Sequence, residues 1–354
     1  MSVQDFKCPS CGAALAWESG VQKMKCGHCD NTYDIETIKE YTDETAEQPV
    51  EEYAWDPYVS SGEVGGLKAY ICKSCGGTIT GEETTAATHC PYCDSPVVLD
   101  NNVSGMLRPD IVIPFRQNKQ AAIDAFAKFC KKKAFLPKSF VSDNHVEEIT
   151  GLYVPFWLFD CGAEGKVRFD ATKTRRWSDS SYDYTETSHF MVIREGGAEF
   201  EFVPVDGSQK MDDAFMEAIE PFNMSEGVSF ESAYLAGYLA DKYDVSAEQS
   251  HPRANQRVKN GLVELFRQTA IGYDTVTAES TSIKVTDGKV RYAMFPVWIL
   301  STSYKGKLYR FAMNGQTGKF VGNLPISWGK FFATFSAITA GVTALVTLVG
   351  WLML

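Results

Sequence analysis

CPSC (8–11), CGHC (26–29), CKSC (72–75) and CPYC (90–93) are four Cys-x2-Cys pairs. In each of two sets, 14 residues separate one pair from the next, and the second set repeats the first 64 positions later. This is the spacing of a four-cysteine zinc ribbon, occurring twice. Zinc prefers a tetrahedron of thiolate sulfurs, and four cysteines leave no position for water. Cys8, Cys11, Cys26 and Cys29, then Cys72, Cys75, Cys90 and Cys93, are therefore the expected ligands of two structural zinc ions. Gly12, Gly27 and Gly76 supply backbone freedom for the metal knuckles. The short apolar stretch 13–17 and Met24, with Tyr33, suit small β-hairpins between them. So little core needs the metal in order to fold. His28 and His89 each adjoin a ligand cysteine, but four cysteines already complete each site. Disulfides would need an oxidising compartment, and a redox Cys-x2-Cys would open a helix in a thioredoxin-like unit, which the sequence lacks.

The far end of the 354-residue chain sets the expected compartment. Residues 331–354 contain no Asp, Glu, Lys, Arg or His. As a helix they span roughly 36 Å, against about 30 Å of bilayer hydrocarbon. Trp328 and Trp351 sit where an aromatic belt would place them, and Lys330, Lys319, Arg310, Lys307 and Lys305 lie on the near side. No charged segment followed by an apolar one opens the chain. The expectation is a single-pass, tail-anchored protein of the cytoplasmic membrane with its N-terminal domains in the cytosol. Ala333, Ala337 and Gly341 recur every four residues, widened by Ser336, Ala340 and Thr343. That row permits an oligomer through helix packing as well as an ordinary anchor.

Net charge is −11. Residues 1–100 hold 6 Lys+Arg against 17 Asp+Glu, with no Arg, and the remainder balances. That sign is opposite to the basic footprint of a nucleic-acid-binding surface. Four thiolates around each zinc add further negative charge. Residues 36–66 carry nine acids against Lys39 alone and read as a solvated acidic linker, although Tyr53, Trp55 and Tyr58 could dock onto something.

A body follows from 105 to 326. Residues 110–115 read as a strand and 117–133 as an amphipathic helix, with Ala122, Ala125, Phe126 and Phe129 on one face and Cys130 beside it. Lys131–Lys133, with Lys119, Lys128 and Lys138, form a basic cluster suited to a solvated helix end, anionic lipid or an acidic partner. Residues 153–159 (YVPFWLF) echo 294–300 (MFPVWIL) at an offset of 141, matching Pro155 with Pro296 and Trp157 with Trp298. Residues 257–270 place Leu262, Val263, Phe266 and Ala270 on one face, giving the first helix a counterpart. Residues 200–205 read as a strand, 211–219 and 232–243 as helices, and the sequence 314–318 as a turn. The fold class expected is α+β: zinc ribbons at 1–35 and 67–100 flanking the linker, a duplicated helix-plus-antiparallel-sheet body, and one transmembrane helix over 330–354.

No phosphate-binding loop, nucleophile elbow, HExxH or GxGxxG is present. His145, His189 and His251 are isolated, and Trp157 and Trp298 suit a core. The expectation is no enzyme. The order of two ribbons, then GLYVPFWLFDC (151–161), VPVDGS (203–208), IEPF (219–222), YLAGYLADKYDV (234–245) and FAMNGQTGKFVGNLP (311–325), then an apolar helix, resembles a bacterial family of membrane-anchored double-zinc-ribbon proteins. Its members carry names such as "TFIIB-type zinc ribbon", "PriA-like" or "phage replication protein". The resemblance implies a membrane scaffold recruiting PspA-like or SPFH-like proteins in a phage-shock-type stress response. It brings no catalytic set, and only the eight cysteines carry over as site residues. The competing expectation is a membrane-tethered nucleic-acid-binding protein of replication or transcription.

Overall fold

The run 153–159 has no charged side chain, so neither face of an extended chain there suits water. In the computed structural model it lies in a long strand, with residues 151–159 all buried. Residues 292–302, which hold the echo, are likewise buried throughout. The structure describes residues 6–64, 67–82, 90–93, 95, 97–100, 106–131, 133–137, 139–140, 149–210 and 213–353. His89, His145, Lys132 and Lys138 lie outside them.

In chain order the elements are β1 (Leu15–Glu18), β2 (Lys23–Cys26), β3 (Thr32–Tyr33), α1 (Ile35–Ala46), β4 (Glu51–Trp55), β5 (Glu63–Val64), β6 (Leu67–Cys72), β7 (Thr78–Glu82), β8 (Val97–Asp100), β9 (Met106–Leu107) and β10 (Ile111–Val112). There follow α2 (Lys119–Lys131), β11 (Thr150–Ser178), β12 (Asp183–Asp206), α3 (Asp213–Ile219), β13 (Val228–Ser229), β14 (Leu239–Asp241), α4 (Ala247–Thr269), β15 (Thr275–Tyr304), β16 (Lys307–Asn314), β17 (Phe320–Gly322) and α5 (Trp328–Met353). The mixed α and β composition agrees with the expected class, but the antiparallel sheet expected for the body is corrected to a mixed one, because β10 and β4 run parallel to β15 and β14 runs parallel to β11.

Met1–Asp56, Phe159–Val203 and His251–Lys289 form one compact unit. The first ribbon, β1-β2-β3, is antiparallel, with Leu15 opposite Cys26 and Met24 opposite Tyr33. A core of this unit is built on Val258 and Leu262 of α4 with Cys161, Ala163, Ile283 and Val285. Phe266 and Val263 extend it toward Val167, Phe169 and Ala270. Leu262, Val263 and Phe266 of α4, with Ala270 just beyond its end, lie on the face that helical periodicity marks.

The solvated linker expected over 36–66 is corrected here. Within this unit it forms α1, with Ile38 buried, and β4. β4 runs parallel to β15, Ile283 opposite Glu51 and Val285 opposite Tyr53, and Trp55 Nε1 donates to Asn255 Oδ1 at 2.7 Å. Lys166 lies 2.8 Å from Glu44 and 2.9 Å from Glu47. The acids occupy the outer face while Ile38, Tyr53 and Trp55 take the inner one, so charge density alone misjudges the segment.

Pro57–Leu158, Pro204–Ser250 and Val290–Leu354 form the second unit. Its core packs Ala122, Phe126 and Cys130 of α2 against Trp298, Leu300, Phe311 and Met313. β15, β16 and β17 form an antiparallel meander. β10 lies parallel to β15, Ile111 opposite Ala293 and Val112 opposite Met294. β14 lies parallel to β11, Leu239 opposite Leu152 and Ala240 opposite Tyr153. The two long-strand pairs, 152–153 and 293–294, differ by the same 141 positions as the sequence echo. Trp157 Nε1 donates to Val245 O at 2.8 Å and Trp298 Nε1 to Gln117 O at 2.9 Å. The amide of Gly207 meets Pro155 O, and that of Gly315 meets Pro296 O.

The helix expected over 232–243 is also corrected. Only Ser232–Leu235 coils, as a 3-10 turn, and β14 follows. Gly237 adopts φ +80°, which ends a right-handed helix. Leu239–Asp241 then fills the gap between β11 and β7.

Candidate metal centres

Each set of four cysteines converges on one point, their sulfurs all within 4.8 Å of one another. Cys8–Cys29 and Cys11–Cys26 sulfurs lie 3.6 and 3.5 Å apart, and Cys72–Cys93 and Cys75–Cys90 lie 3.5 and 3.7 Å apart. A disulfide requires about 2.05 Å. Sulfurs about 2.3 Å from a tetrahedral zinc stand about 3.8 Å from each other. The donor set therefore fits a four-coordinate thiophilic dication such as zinc, with all eight expected ligands in place.

Local hydrogen bonds shape the knuckles. The amide of Gly12 donates to Cys8 O, that of Asp30 to Cys26 O, and that of Gly76 to Cys72 O. These three residues adopt φ of +74°, +57° and +72°. Glycine is needed at 12 and 76 because that region is costly for a side chain. Gly27 has no such φ; Asp30 takes the left-handed position in its knuckle. His28 contributes its amide, 3.5 Å from Cys26 Sγ, while its ring belongs to neither donor set.

Thiolates cannot accumulate here without a cation. Amides of Cys29 and His28 hold the Cys26 thiol down to about 6. Cys11 accepts from the Ala13 amide, yet sharing a proton with Cys26 pushes it up to about 12. In the second cluster burial opposes ionisation, but Ser95 brings Cys93 down to about 7 while Cys90 is pushed up by burial. One thiol ionises at another's expense, as like charges require. A divalent ion removes that conflict. Cys130 and Cys161 stand apart, both raised to about 11 by burial, which makes them inert thiols.

The two centres have different surroundings. In the first ribbon Tyr33 OH lies 3.5 Å from Cys8 Sγ and 2.6 Å from Ser10 Oγ. Trp17 and Val21 at its far end are 48% and 54% exposed. The second ribbon is built into its unit. β6 pairs with β7 and β8, and β7 joins β14. Ser301 Oγ donates to Pro91 O and Tyr92 O at 2.7 and 3.0 Å, and Arg310 Nε donates to Tyr92 O at 2.9 Å. Tyr92, between two ligand cysteines, is buried.

Beneath this ribbon, Lys210 Nζ lies 2.7 Å from Asp241 Oδ1 and 3.6 Å from Asp244 Oδ2. Ser208 Oγ donates to the other Asp241 oxygen. Asp241 is fully buried and the Lys210 side chain 10% exposed. Burial opposes the charge on Lys210, but Asp241 and Asp244 outweigh it and hold its ammonium protonated. Lys210→Met should therefore lower stability by about 3–5 kcal/mol, because Asp241 is left buried without its cation. Lys210→Met/Asp241→Leu should recover most of that loss. Denaturant unfolding of the three proteins checks both. Sequence reading missed Lys210 and Asp241; an acid closing the apolar run Leu239–Asp241 was the available signal.

α5 has no Asp, Glu, Lys or Arg beyond Lys330, and its apolar residues face outward along its length. Trp328–Leu352 is long and apolar enough to cross a membrane. Its first turn is fixed to the body: Lys330 Nζ donates to Leu136 O, and Phe331 meets Phe135 edge-on.

No family model matches the chain, and no solved structure matches it. It is 37% identical over 348 residues to the uncharacterized protein YdjG of Bacillus subtilis (strain 168), covering 98% of both chains.

Proposed function

The chain belongs to the family of the Bacillus subtilis protein YdjG, and from that premise we propose that it is a non-enzymatic scaffold of the cytoplasmic membrane. α5 is the anchor, the two units are cytosolic, and both cysteine centres hold structural zinc. The observation that carries this reading is α5, a charge-free apolar helix beyond Lys330 that buries none of its spanning segment in the protein. In water such a surface is a liability; in lipid it is satisfied.

The two ribbons take different roles in this reading. The second is an architectural part of its unit, held by Ser301, Arg310 and β14. The first presents Trp17 and Val21 outward, an aromatic and an aliphatic side chain of the kind that anchors protein interfaces. We assign partner recruitment to it. A PspA-like or SPFH-like partner in a membrane-stress response is the setting suggested by the sequence resemblance. The reciprocal pairing of β10 with β15 and β14 with β11, at the 141-residue offset, supports reading the second unit as the centre of a duplicated helix-plus-strand body.

The test is affinity capture of the full-length protein from gently solubilised membranes, beside Trp17→Ala/Val21→Ala, with nuclease treatment. Wild type should retain nuclease-resistant protein partners, and the double variant should lose them about 30-fold or more, at the 2 kcal/mol or more expected of an interface anchor. Equal recovery with both proteins would remove the first ribbon from the interface. Nuclease-sensitive recovery of replication or transcription proteins would replace this reading with nucleic-acid binding.

A further inference from the structure

We propose that the cavity at the foot of α5 is a binding site for the headgroup of an anionic phospholipid. The inference rests on the membrane reading of α5 and adds to it a specific lipid chemistry.

The cavity has a volume of about 1460 Å³ and is walled by the β15–β16 turn, the segment after β17 and the first residues of α5. Lys305, Lys307, Arg310 and Lys330 line it, and its described lining residues include no Asp or Glu. That concentration of one sign stands out in a chain of net charge −11. Trp328, 61% exposed at the first position of α5, lines the same cavity. Tryptophan there marks the depth of lipid headgroups, so the cavity opens where phosphates lie.

The turn brings two of the cations to the opening. Tyr304 pairs with Lys307, leaving Lys305-Gly306 as a two-residue hairpin loop. Both have positive φ, +52° and +75°, the conformation of a type I′ turn. Lysine is a poor choice there, where Asn or Gly would cost less; Lys305 nonetheless places an ammonium at the rim. Lys305 lies over the Tyr304 ring and Lys307 over the Tyr309 ring, at 5.5 and 5.7 Å. Lys330 and Arg310 are held through Leu136 O and Tyr92 O. Two fixed and two exposed cations around one opening suit a phosphate diester with its anionic headgroup.

Full-length protein would be reconstituted into nanodiscs of pure phosphatidylcholine and of phosphatidylcholine with phosphatidylglycerol. Lipids retained on release would then be measured by native mass spectrometry in 0.15 M salt. Wild type should retain phosphatidylglycerol selectively. Lys305→Gln/Lys307→Gln should cut the selectivity by about 30-fold, on the scale of two juxtamembrane lysines. Lys284→Gln/Lys289→Gln, exposed on β15, with the same charge change and outside the cavity lining, should leave it unaltered. Neither pair changes a buried residue, so metal content and melting should match wild type. Equal selectivity in wild type and Lys305→Gln/Lys307→Gln would overturn the proposal. So would insertion without any preference, or displacement of the lipid by millimolar inorganic phosphate, which would make the site one for free phosphate. Failure of wild type to enter nanodiscs would instead sink the membrane reading itself.

Discussion

Serine at Cys72 and Cys75 is expected to leave one equivalent of zinc instead of two and to melt the second unit along with its ribbon. Structural zinc binding supplies on the order of 10–16 kcal/mol at neutral pH, comparable to the whole stability of an ordinary domain, about 5–15 kcal/mol. β7 pairs with β14, and β14 with β11, so unfolding of β6–β8 uncovers a central strand. The Tyr92 carbonyl is also lost to Ser301 and Arg310. Serine at Cys8 and Cys11 should likewise remove one equivalent, but with a local result: among the described residues, β1–β3 pair with no other strand. Elemental analysis and limited proteolysis of the two variants check the contrast. Equal protease sensitivity of the second unit in both would mean that its ribbon is not architectural.

Ending the chain at Lys330 should move it from the membrane fraction to the soluble one. The removed stretch holds eleven Leu, Ile, Val and Phe residues. At about 0.3–0.6 kcal/mol each, insertion is favoured by roughly 3–7 kcal/mol, on the order of a hundredfold or more in partitioning. Keeping Lys330 preserves its bond to Leu136 O, so the truncated body should retain its melting behaviour and both zinc equivalents. Carbonate extraction and sedimentation read the outcome. A truncated protein still pelleting with membranes would point to a second membrane contact.

The metal centres were legible because tetrahedral thiolate coordination imposes a spacing that survives in one dimension. All eight expected ligands follow from it, and the apolar length of α5 was legible separately, because residues 331–354 hold no charged side chain. The inward faces of α2 and α4 followed from helical period. Elements whose fate depends on distant partners were not legible. Leu239–Asp241 becomes a strand because β11 and β7 flank it, and Gly237, which breaks the helix, does not by itself reveal those partners. Glu51–Trp55 looks solvated when charge is counted, yet alternation sends Tyr53 and Trp55 inward once β15 lies alongside. The second ribbon's setting was hidden too, since Ser301 and Arg310 lie more than 200 residues from Tyr92.

The reciprocal strand pairing also orders events during synthesis. β10 cannot close its parallel ladder until Ala293 and Met294 exist, 182 residues after Ile111 and Val112. At 5–20 residues per second that delay is roughly ten to forty seconds. Through it the nascent chain carries Phe126, Trp157 and their neighbours without the strands that will cover them. Such a chain exposes apolar surface for that interval, and one stalled before β15 would be prone to aggregate rather than survive as a folded fragment.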